Sequence, residues 1–255
     1  MNQRDILIKW TGSKRYQANY ILDNLPNEID VYYEPFLGGG SILYSILKSK
    51  IKVKSFRCSD INSDLIALWK LIQSNPNQIF NEYVKNWPYD NEKYRSLRKE
   101  FNLNRNPTIF FCLLRSCRNG LVRYNKKGEF NSSFHIKRDG INPKNLKPIL
   151  REWNLLLNEK DVDFAVKDYS EIITLKNDLV YADPPYSSEK HEYYQGLIDL
   201  NQVWNWVLSQ NGRCLLSIDA EFSRSGIDKI QIPAGFHRLN REKKVVKYHN
   251  LYIKK

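Results

Sequence analysis

The chain has 255 residues, and its 40 Lys and Arg side chains outnumber 28 Asp and Glu, which gives a formal net charge of +12. A hydrophobic content of 42% excludes an intrinsically disordered chain, and no apolar run approaches the length of a membrane span. The length suits one sizeable core, with or without an inserted subdomain. The positive charge favours a polyanionic partner, and nucleic acid is favoured over a membrane surface. The alternative is that the charge serves only to keep the protein soluble.

The four cysteines form no Cys-x-x-Cys pair and have no histidine at a zinc-ligand spacing. We therefore expect reduced, mostly buried thiols, a cytoplasmic location and no metal site. The first nine residues are polar and charged and lack the apolar core of a signal peptide, which agrees with that expectation.

The N-terminal pattern predicts a turn at Gly12 and a helix over residues 14–25, with Ser13 as its N-cap. Lys14 would then lie at a helix N-terminus, where a cation opposes the helix dipole. That position is unfavourable unless the ammonium group meets an anion or a ligand. The alternative is a lysine extended into solvent, and the residue taken alone favours that alternative.

A short strand over residues 31–34, a glycine turn and a helix over 41–49 have the order of a nucleotide-binding βαβ unit. Gly38, Gly39 and Gly40 let the backbone approach a ligand closely. The spacing is not Gly-x-Gly-x-x-Gly, so a pyrophosphate ligand is not implied. An acid, Glu34, precedes the turn.

A second strand over residues 53–59 ends at Asp60, which is placed to accept hydrogen bonds from two ribose hydroxyls. The alternative is an N-cap for the next helix. With Glu34 and the glycine turn, Asp60 favours an adenosine-type ligand at the carboxyl edge of a sheet.

Residues 63–120 are predicted to be mostly helical, with helices at 64–73, 76–87, 92–102 and 107–117. They have no strand alternation, so we interpret them as an insertion beside the sheet. A basic β-hairpin follows, with arms at 122–125 and 129–134 and a turn at 126–128. Arg and Asn can read guanine and adenine edges, so the hairpin is a candidate for entering a major groove. A charged surface hairpin is the alternative; Arg138 and Lys144 could add phosphate contacts.

The next elements are an amphipathic helix at 143–159 and a strand at 162–166 that leads to Asp168. The Asp168 carboxylate suits an adenine amino group, or it caps the following turn; the residue alone does not decide. A helix at 199–208, a strand at 213–219 and a terminal antiparallel pair at 236–239 and 245–253 complete the pattern.

The segment Asp183-Pro184-Pro185-Tyr186 directly follows a predicted buried strand. Two prolines remove two backbone donors in a row, which leaves nearby carbonyls able to accept from a ligand. A carboxylate, an outward carbonyl and an aromatic ring at a strand end form a site for a planar molecule with an NH2 group. The alternative is a rigid exit from the strand. The polar residues 187–196 are predicted to form a mobile loop over this site.

Five motifs occur in one order: KWTGSK at 9–14, EPFLGGGS at 34–41, DIN at 60–62, NGLVRYN at 119–125 with GEFN at 128–131, and DPPY at 183–186. In that order they resemble the Dam-type, α-order family of adenine-specific DNA methyltransferases, over nearly the whole chain. The resemblance implies an α/β, Rossmann-like, S-adenosylmethionine-dependent methyltransferase fold with a mostly helical target-recognition insertion that carries the β-hairpin. It assigns residues 1–62 and 161–255 to the catalytic domain and 63–160 to target recognition, with the hairpin at 119–134.

The resemblance also implies a binding site for S-adenosyl-L-methionine, with its methionine part beside the turn at 34–41 and its adenine near Asp168. The implied cofactor residues are Trp10, Lys14, Glu34, Pro35, Phe36, Gly38, Gly40, Asp60, Ile61, Asp168, Tyr169 and Asp183.

For DNA, the resemblance implies base contacts from Lys9, Leu121 and Arg123, and places Asn119 near the gap left by a flipped adenine. The implied DNA-binding residues are Lys9, Arg118, Asn119, Leu121, Arg123, Asn125, Lys126, Ser133 and Arg138. Relatives that modify GATC often have an aromatic residue at the position of Arg118 and Pro at that of Ser133. This chain differs from those relatives at both positions, which puts the exact target in question. We expect GATC first and a longer GAT-containing site second.

The implied reaction moves a methyl group from S-adenosylmethionine to the 6-amino group of an adenine flipped out of duplex DNA, with Asp183, Pro184 and Tyr186 as catalytic residues. The alternatives are a catalytically silent DNA-binding relative and a methyltransferase that acts on RNA or on a protein amide. The amide enzymes typically carry Asn at the position of Asp183. The expected partner is double-stranded DNA, bound by a monomer or weak dimer, with a cognate restriction endonuclease as a further candidate.

Overall fold

A seven-stranded sheet organises the described part of the chain, which in the computed structural model comprises residues 7–137, 140–185, 198–238 and 244–255. Its strands are β1 (Glu28–Glu34), β2 (Lys52–Asp60), β3 (Val162–Val166), β4 (Leu179–Ala182), β5 (Arg213–Ile218), β6 (Ile227–Arg238) and β7 (Lys244–Lys254). The spatial order is β3-β2-β1-β4-β5-β7-β6, with β1 to β5 mutually parallel and β7 antiparallel to both its neighbours. All five parallel strands therefore end at one edge of the sheet.

Eight helices accompany these strands within the described residues. They are α1 (Ala18–Leu22), α2 (Ser41–Leu47), α3 (Ser63–Ser74), α4 (Pro76–Asn86), α5 (Asn91–Asn104), α6 (Pro107–Ser116), α7 (Pro143–Asn158) and α8 (Leu200–Ser209). The bounds predicted for α2 to α8 agree with these to within two residues. Among the described residues, no helix has both the length and the apolar character needed to cross a bilayer.

Helices cover both faces of the sheet, and the central strand β4 shows why. All four residues of β4 are buried. Leu179 and Tyr181 join the core beneath α2, α3 and α7, whereas Val180 and Ala182 join a second cluster with α8. Alternate side chains of a strand point to opposite faces. A continuous apolar run is thus required at this position.

The helices α4, α5 and α6 lie beside the sheet: α4 packs on α3 and α7, α6 packs on α3 and α4, and α5 packs on α6. Their buried aromatic side chains, such as Phe101 and Phe110, stack with ring centroids 5.0 Å apart. These side chains belong to the same core as the sheet residues beneath α3. The four cysteines are buried thiols outside any disulfide, as the sequence predicts.

The prediction for the first helix is wrong. The helix α1 begins at Ala18, Gln17 is its N-cap residue, and Ser13 does not cap it. The backbone N–H of Lys14 donates instead to Ser41 Oγ at 3.1 Å, which ties this segment to the start of α2. The segment around Lys14 is thus held by a residue distant in sequence, and it does not form the first turn of α1.

The predicted β-hairpin arms do not form a regular ladder. The segment 118–134 makes two isolated antiparallel bridges, Cys117↔Phe134 and Tyr124↔Phe130. Ser132 Oγ accepts from the N–H of Arg123 at 3.0 Å and donates to the carbonyl of Leu121 at 2.6 Å, so a hydroxyl replaces backbone pairing there. We call this irregular antiparallel segment, residues 118–134, the reader loop, after the role that the sequence predicts for it.

The final strand pair is longer than predicted, because β6 starts at Ile227 and not near Phe236. Pro233 interrupts the sequence pattern, but β6 is the edge strand and tolerates it through a register shift between Pro233 and Gly235. Tyr186, the predicted loop at 187–196 and Arg138 lie outside the described residues.

Candidate active site

A cavity of about 340 Å³ opens at the edge where the parallel strands end. It is lined by the N-terminal segment 10–14, the glycine turn, the end of β2, the turn after β3, the segment after β4 and the start of α8. Of the predicted cofactor and catalytic residues, those on its wall are Trp10, Lys14, Glu34, Phe36, Gly38, Asp60, Ile61, Asp168, Tyr169, Asp183 and Pro184. Pro35 and Gly40 are not on the wall.

The glycine turn is tight because two indole rings press on it. Gly38 has φ +49°, and a Cβ there would lie 2.9 Å from Trp10 Cδ1. Gly40 has φ +65°, and its Cβ would lie 2.8 Å from Trp69 Cζ2. Trp69 Nε1 also donates to the carbonyl of Gly38 at 3.1 Å. Gly40 is thus required by core packing, while Gly38 also faces the cavity.

Asp60 links the end of β2 to the glycine turn. Its Oδ2 accepts from the N–H of Gly38 at 3.1 Å, and its Oδ1 accepts from the N–H of Asn62 at 3.0 Å. The N-cap of α3 is Asn62, whose side chain accepts from Leu65, so the alternative role for Asp60 as that cap is wrong. Burial raises the pKa of Asp60 to about 6.

Asp168 has the capping role that the sequence left open, and it also lies on the cavity wall, while its contact with an adenine stays a prediction. Its carboxylate caps the short 3-10 turn Tyr169–Glu171 by accepting from the N–H of Ser170 at 2.9 Å. The ring of Tyr169 lies 5.4 Å from that of Phe36, centroid to centroid, and both rings line the same cavity.

Lys14 and Asp183 form an ion pair at the centre of the site. Lys14 Nζ lies 2.6 Å from Asp183 Oδ1, and the two side chains are 6% and 17% exposed. The alternative of a lysine extended into solvent is therefore wrong. An ion pair this well shielded from water is costly to break by removing one partner. The pair holds the Asp183 carboxylate at the cavity wall.

Glu34 is a further ionisable side chain of the cavity wall. It is buried, and its Oε2 accepts from the Tyr32 hydroxyl at 2.8 Å. Burial, reinforced by the neighbouring Asp183 charge, raises the pKa of Glu34 to about 8. At neutral pH Glu34 is mainly protonated, so the carboxylate charge facing Lys14 comes from Asp183.

The reader loop lies close to this cavity. The Tyr124 hydroxyl donates to Asp64 Oδ2 at 2.7 Å, which anchors the loop to the start of α3, next to the end of β2. On its other side the loop touches the N-terminal segment, since a Cβ on Gly120 would lie 3.2 Å from the Lys9 backbone. The loop and the cavity therefore share the stretch that carries Lys9, Trp10 and Lys14.

The predicted DNA-binding residues differ in accessibility. Arg118, Asn119, Lys126 and Ser133 are exposed, whereas Lys9, Leu121, Arg123 and Asn125 are half-buried. Asn119 has φ +58°, a left-handed conformation that Asn adopts more readily than most residues.

Sequence reasoning missed several polar residues of the cavity wall, namely Thr11, Ser13, Ser170, Asp199 and Gln202. The sequence marks Asp199 only as the start of a helix. In the structure Asp199 does cap α8, since its side chain accepts from the N–H of Asn201 at 2.8 Å. Its place in the cavity depends on how α8 crosses over the sheet, which no local pattern reveals.

The strand order, with the antiparallel β7 inserted between β5 and β6, and the cavity at the carboxyl ends of β1, β2 and β4 define a Rossmann-like α/β fold with a ligand site at the edge of its parallel strands. The family of D12 class N6 adenine-specific DNA methyltransferases matches residues 10–202. The chain belongs to this family. It is an adenine-specific DNA methyltransferase that uses S-adenosylmethionine, as the sequence predicts.

Individual relatives agree with the family assignment. The chain is 33% identical over 204 residues to the Type II methyltransferase M.MjaIII of Methanocaldococcus jannaschii, covering 70% of this chain and 68% of the relative. It is 30% identical to the DNA adenine methylase of Escherichia coli strain K12, covering 73% and 66%. It is 26% identical to the Type II methyltransferase M.CviBI of Paramecium bursaria Chlorella virus NC1A, covering 84% and 82%.

Proposed function

We propose that the protein methylates adenine within GATC, or within a longer site that contains GAT, and that Asp183 and Pro184 hold the target amino group. The observation that carries the assignment of the site is the Lys14–Asp183 pair, which fixes a carboxylate on the wall of the cavity. The relative named DNA adenine methylase supports adenine in DNA as the methyl acceptor. The two named Type II methyltransferases support a role beside a restriction endonuclease.

The cavity suits S-adenosylmethionine by the chemistry of its wall. We assign the ribose hydroxyls to Asp60, because a carboxylate that accepts two backbone N–H groups still has lone pairs for further donors. The rings of Phe36 and Tyr169 suit the adenine, and Asp168 suits its amino group. We assign the methionine part of the cofactor to the remaining wall residues, Trp10, Lys14 and the turn at 34–41. When bound, the cofactor supplies the methyl group.

The protein residues would act on the amino group of the target adenine. That nitrogen is a weak nucleophile because its lone pair is delocalised into the purine ring. A carboxylate at Asp183 and the carbonyl of Pro184 can accept its two N–H groups, which localises the lone pair and orients it. Pro184 and Pro185 have no backbone N–H that could donate to either acceptor. Catalysis then comes from orientation and from hydrogen bonds that strengthen in the transition state.

Tyr186 is assigned as a stacking surface for the flipped adenine. Extrusion of a base from a duplex costs a few kcal/mol, and stacking on an aromatic ring offsets about 1–3 kcal/mol.

We assign residues 63–160 to target recognition and residues 1–62 and 161–255 to catalysis. Within the recognition unit, α3 and α7 also cover the sheet, so α4 to α6 and the reader loop are the parts available for recognition alone. Arg123 and Leu121 are the candidate base readers, with Lys9 beside them across the Gly120 contact. We expect a monomer or weak dimer on double-stranded DNA.

Cofactor binding should release a proton from Glu34. A cation placed in this cavity favours the Glu34 carboxylate, whose pKa of about 8 without ligand would fall on binding. Affinity for S-adenosylmethionine should therefore rise with pH by up to about tenfold per unit below pH 8. Titration calorimetry in two buffers of different ionisation enthalpy measures the proton release, and Glu34→Gln should remove it. Equal proton release by both proteins would contradict this role, since the cofactor's own amino group contributes equally to both.

Methylome sequencing tests the proposed target. The protein should be expressed in a host that lacks adenine methylation, and N6-methyladenine should appear in GATC or in one longer GAT-containing motif. Tritium transfer to duplex DNA and to RNA of the same sequence tests the RNA alternative, and we expect incorporation into DNA only. Methylation confined to motifs without GAT would contradict the target, and preferential labelling of RNA would contradict the substrate.

A further inference from the structure

The last two strands extend well beyond the sheet. The pairing of β5 with β7 runs from Cys214↔Lys254 to Ile218↔Asn250, where β5 ends. The pairing of β6 with β7 continues to Arg238↔Lys244. Because β7 is antiparallel to β5, residues 244–249 lie past the carboxyl end of β5. Six residues of strand span about 20 Å. We call this two-stranded extension, residues 232–238 and 244–249, the ribbon.

The ribbon projects from the same edge that carries the cavity. Ala182, the last residue of β4, pairs with Leu216. The next residue, Asp183, therefore lies level with Ser217, one residue before β5 ends at Ile218. The order β4-β5-β7 puts the ribbon two strands from Asp183, which is about 10 Å to the side. The reader loop is anchored beside the end of β2, two strands from β4 in the opposite direction. The catalytic edge is thus flanked on both sides.

The base of the ribbon is fixed to the segment that follows β5. Asn250 Nδ2 donates to the carbonyl of Ala220 at 3.0 Å and to Glu221 Oε1 at 3.1 Å. The Tyr252 hydroxyl accepts from the N–H of Phe222 at 2.8 Å. Gln17 Nε2 lies 3.4 Å from His249 Nδ1, which braces the ribbon against the segment before α1. These contacts set the direction in which the ribbon leaves the sheet.

The sequence of this region is strongly basic. Between positions 237 and 249 there are five Lys or Arg residues and one acid, Glu242. Arg238, Lys244 and Lys247 lie on the described strands, and Arg238 and Lys244 occupy directly opposed positions of the ladder.

We propose that the ribbon is a second DNA-binding arm, which contacts the phosphate backbone on the flank opposite the reader loop. A duplex whose target adenine reaches Asp183 must pass between the two flanking structures, so the ribbon meets a polyanion there. Lysine is a compact point charge suited to phosphate, and phosphate contacts position the protein without reading sequence. The ribbon should therefore contribute affinity and salt dependence but no base preference. This inference rests on DNA as the substrate.

The test is a triple variant, Arg238→Gln/Lys244→Gln/Lys247→Gln, in the full-length protein. Each lost phosphate contact should weaken DNA binding on the order of tenfold near 0.1 M salt and lower the slope of log K against log salt by about 1. The dissociation constant of S-adenosylmethionine, turnover at saturating DNA and the ranking of substituted target sites should match the unmodified protein. The matched control is Lys50→Gln/Lys160→Gln/Lys176→Gln, which removes three lysines from a cleft at the opposite edge of the sheet. We expect it to change DNA affinity by less than about twofold.

Three outcomes would overturn the proposal: an unchanged affinity and salt slope in the ribbon variant, an equal loss in the control variant, or a changed ranking of target sites. Equal melting temperatures of the three proteins show that the substitutions leave the fold intact. If the unmodified protein fails to methylate DNA in the same assay, the proposed function itself fails. If the unmodified protein methylates DNA normally and the ribbon variant binds DNA as tightly as it does, the proposed role of the ribbon is refuted and the proposed function stands.

Discussion

Replacing Asp183 with alanine should lower the rate of methyl transfer by about 10²–10³-fold, with little loss of nonspecific DNA affinity. The carboxylate is the acceptor that we assign to the target amino group, and removal of one such transition-state hydrogen bond has effects of this size. Single-turnover transfer of a tritiated methyl group to a duplex measures the effect. The exposed acid Asp163 on β3 provides a matched control, and Asp163→Ala should retain normal activity.

The ion pair complicates this experiment, because Asp183→Ala leaves the buried ammonium group of Lys14 without its carboxylate. Loss of one partner of such a pair is expected to destabilise the protein by about 3–5 kcal/mol. The double variant Lys14→Met/Asp183→Ala should recover part of that stability and remain inactive. Near-normal turnover in either folded variant would show that Asp183 is not the acceptor.

Replacing Arg123 with alanine should relax discrimination at one base pair of the target by about 1–3 kcal/mol, because a bidentate contact from Arg to a base edge contributes that much. The substitution should leave the loop backbone in place. The backbone N–H of Arg123 donates to Ser132 Oγ and its carbonyl accepts from the N–H of Asn131, and alanine keeps both groups. The measurement is the rate of methyl transfer to a series of duplexes with each target position substituted in turn.

Lys127, an exposed residue at the turn of the reader loop, provides the control for this substitution. Lys127→Ala should weaken binding to all duplexes about equally and leave their ranking unchanged. An unchanged ranking in Arg123→Ala would exclude Arg123 as a reader. A ranking altered equally by both substitutions would point to a general distortion of the loop.

The sequence was sufficient to predict much of the sheet edge. Asp60 and Asp183 each follow a strand in a chain whose strands alternate with helices, and parallel strands end at a common edge. Their convergence on one cavity follows from that rule alone. Helices with Asn caps and Pro at the first turn, such as α4 and α6, were equally predictable because the signals are local.

The features that were not predicted depend on contacts between distant segments. The ion pair of Lys14 and Asp183 joins the N-terminal segment to the end of β4, and no local pattern carries that information. The irregular reader loop depends on Asn102, whose side chain bonds both the N–H and the carbonyl of Phe130 from the neighbouring α5. Pro233 concealed the length of β6, since only its place on an edge strand makes it tolerable.

A crystal structure of the protein with S-adenosylhomocysteine and a duplex that contains the target adenine tests the central claim most directly. We predict that the 6-amino nitrogen lies within hydrogen-bond distance, about 3 Å, of both the Asp183 carboxylate and the Pro184 carbonyl. An extruded adenine whose amino group is held by other residues and makes no hydrogen bond to Asp183 would contradict it.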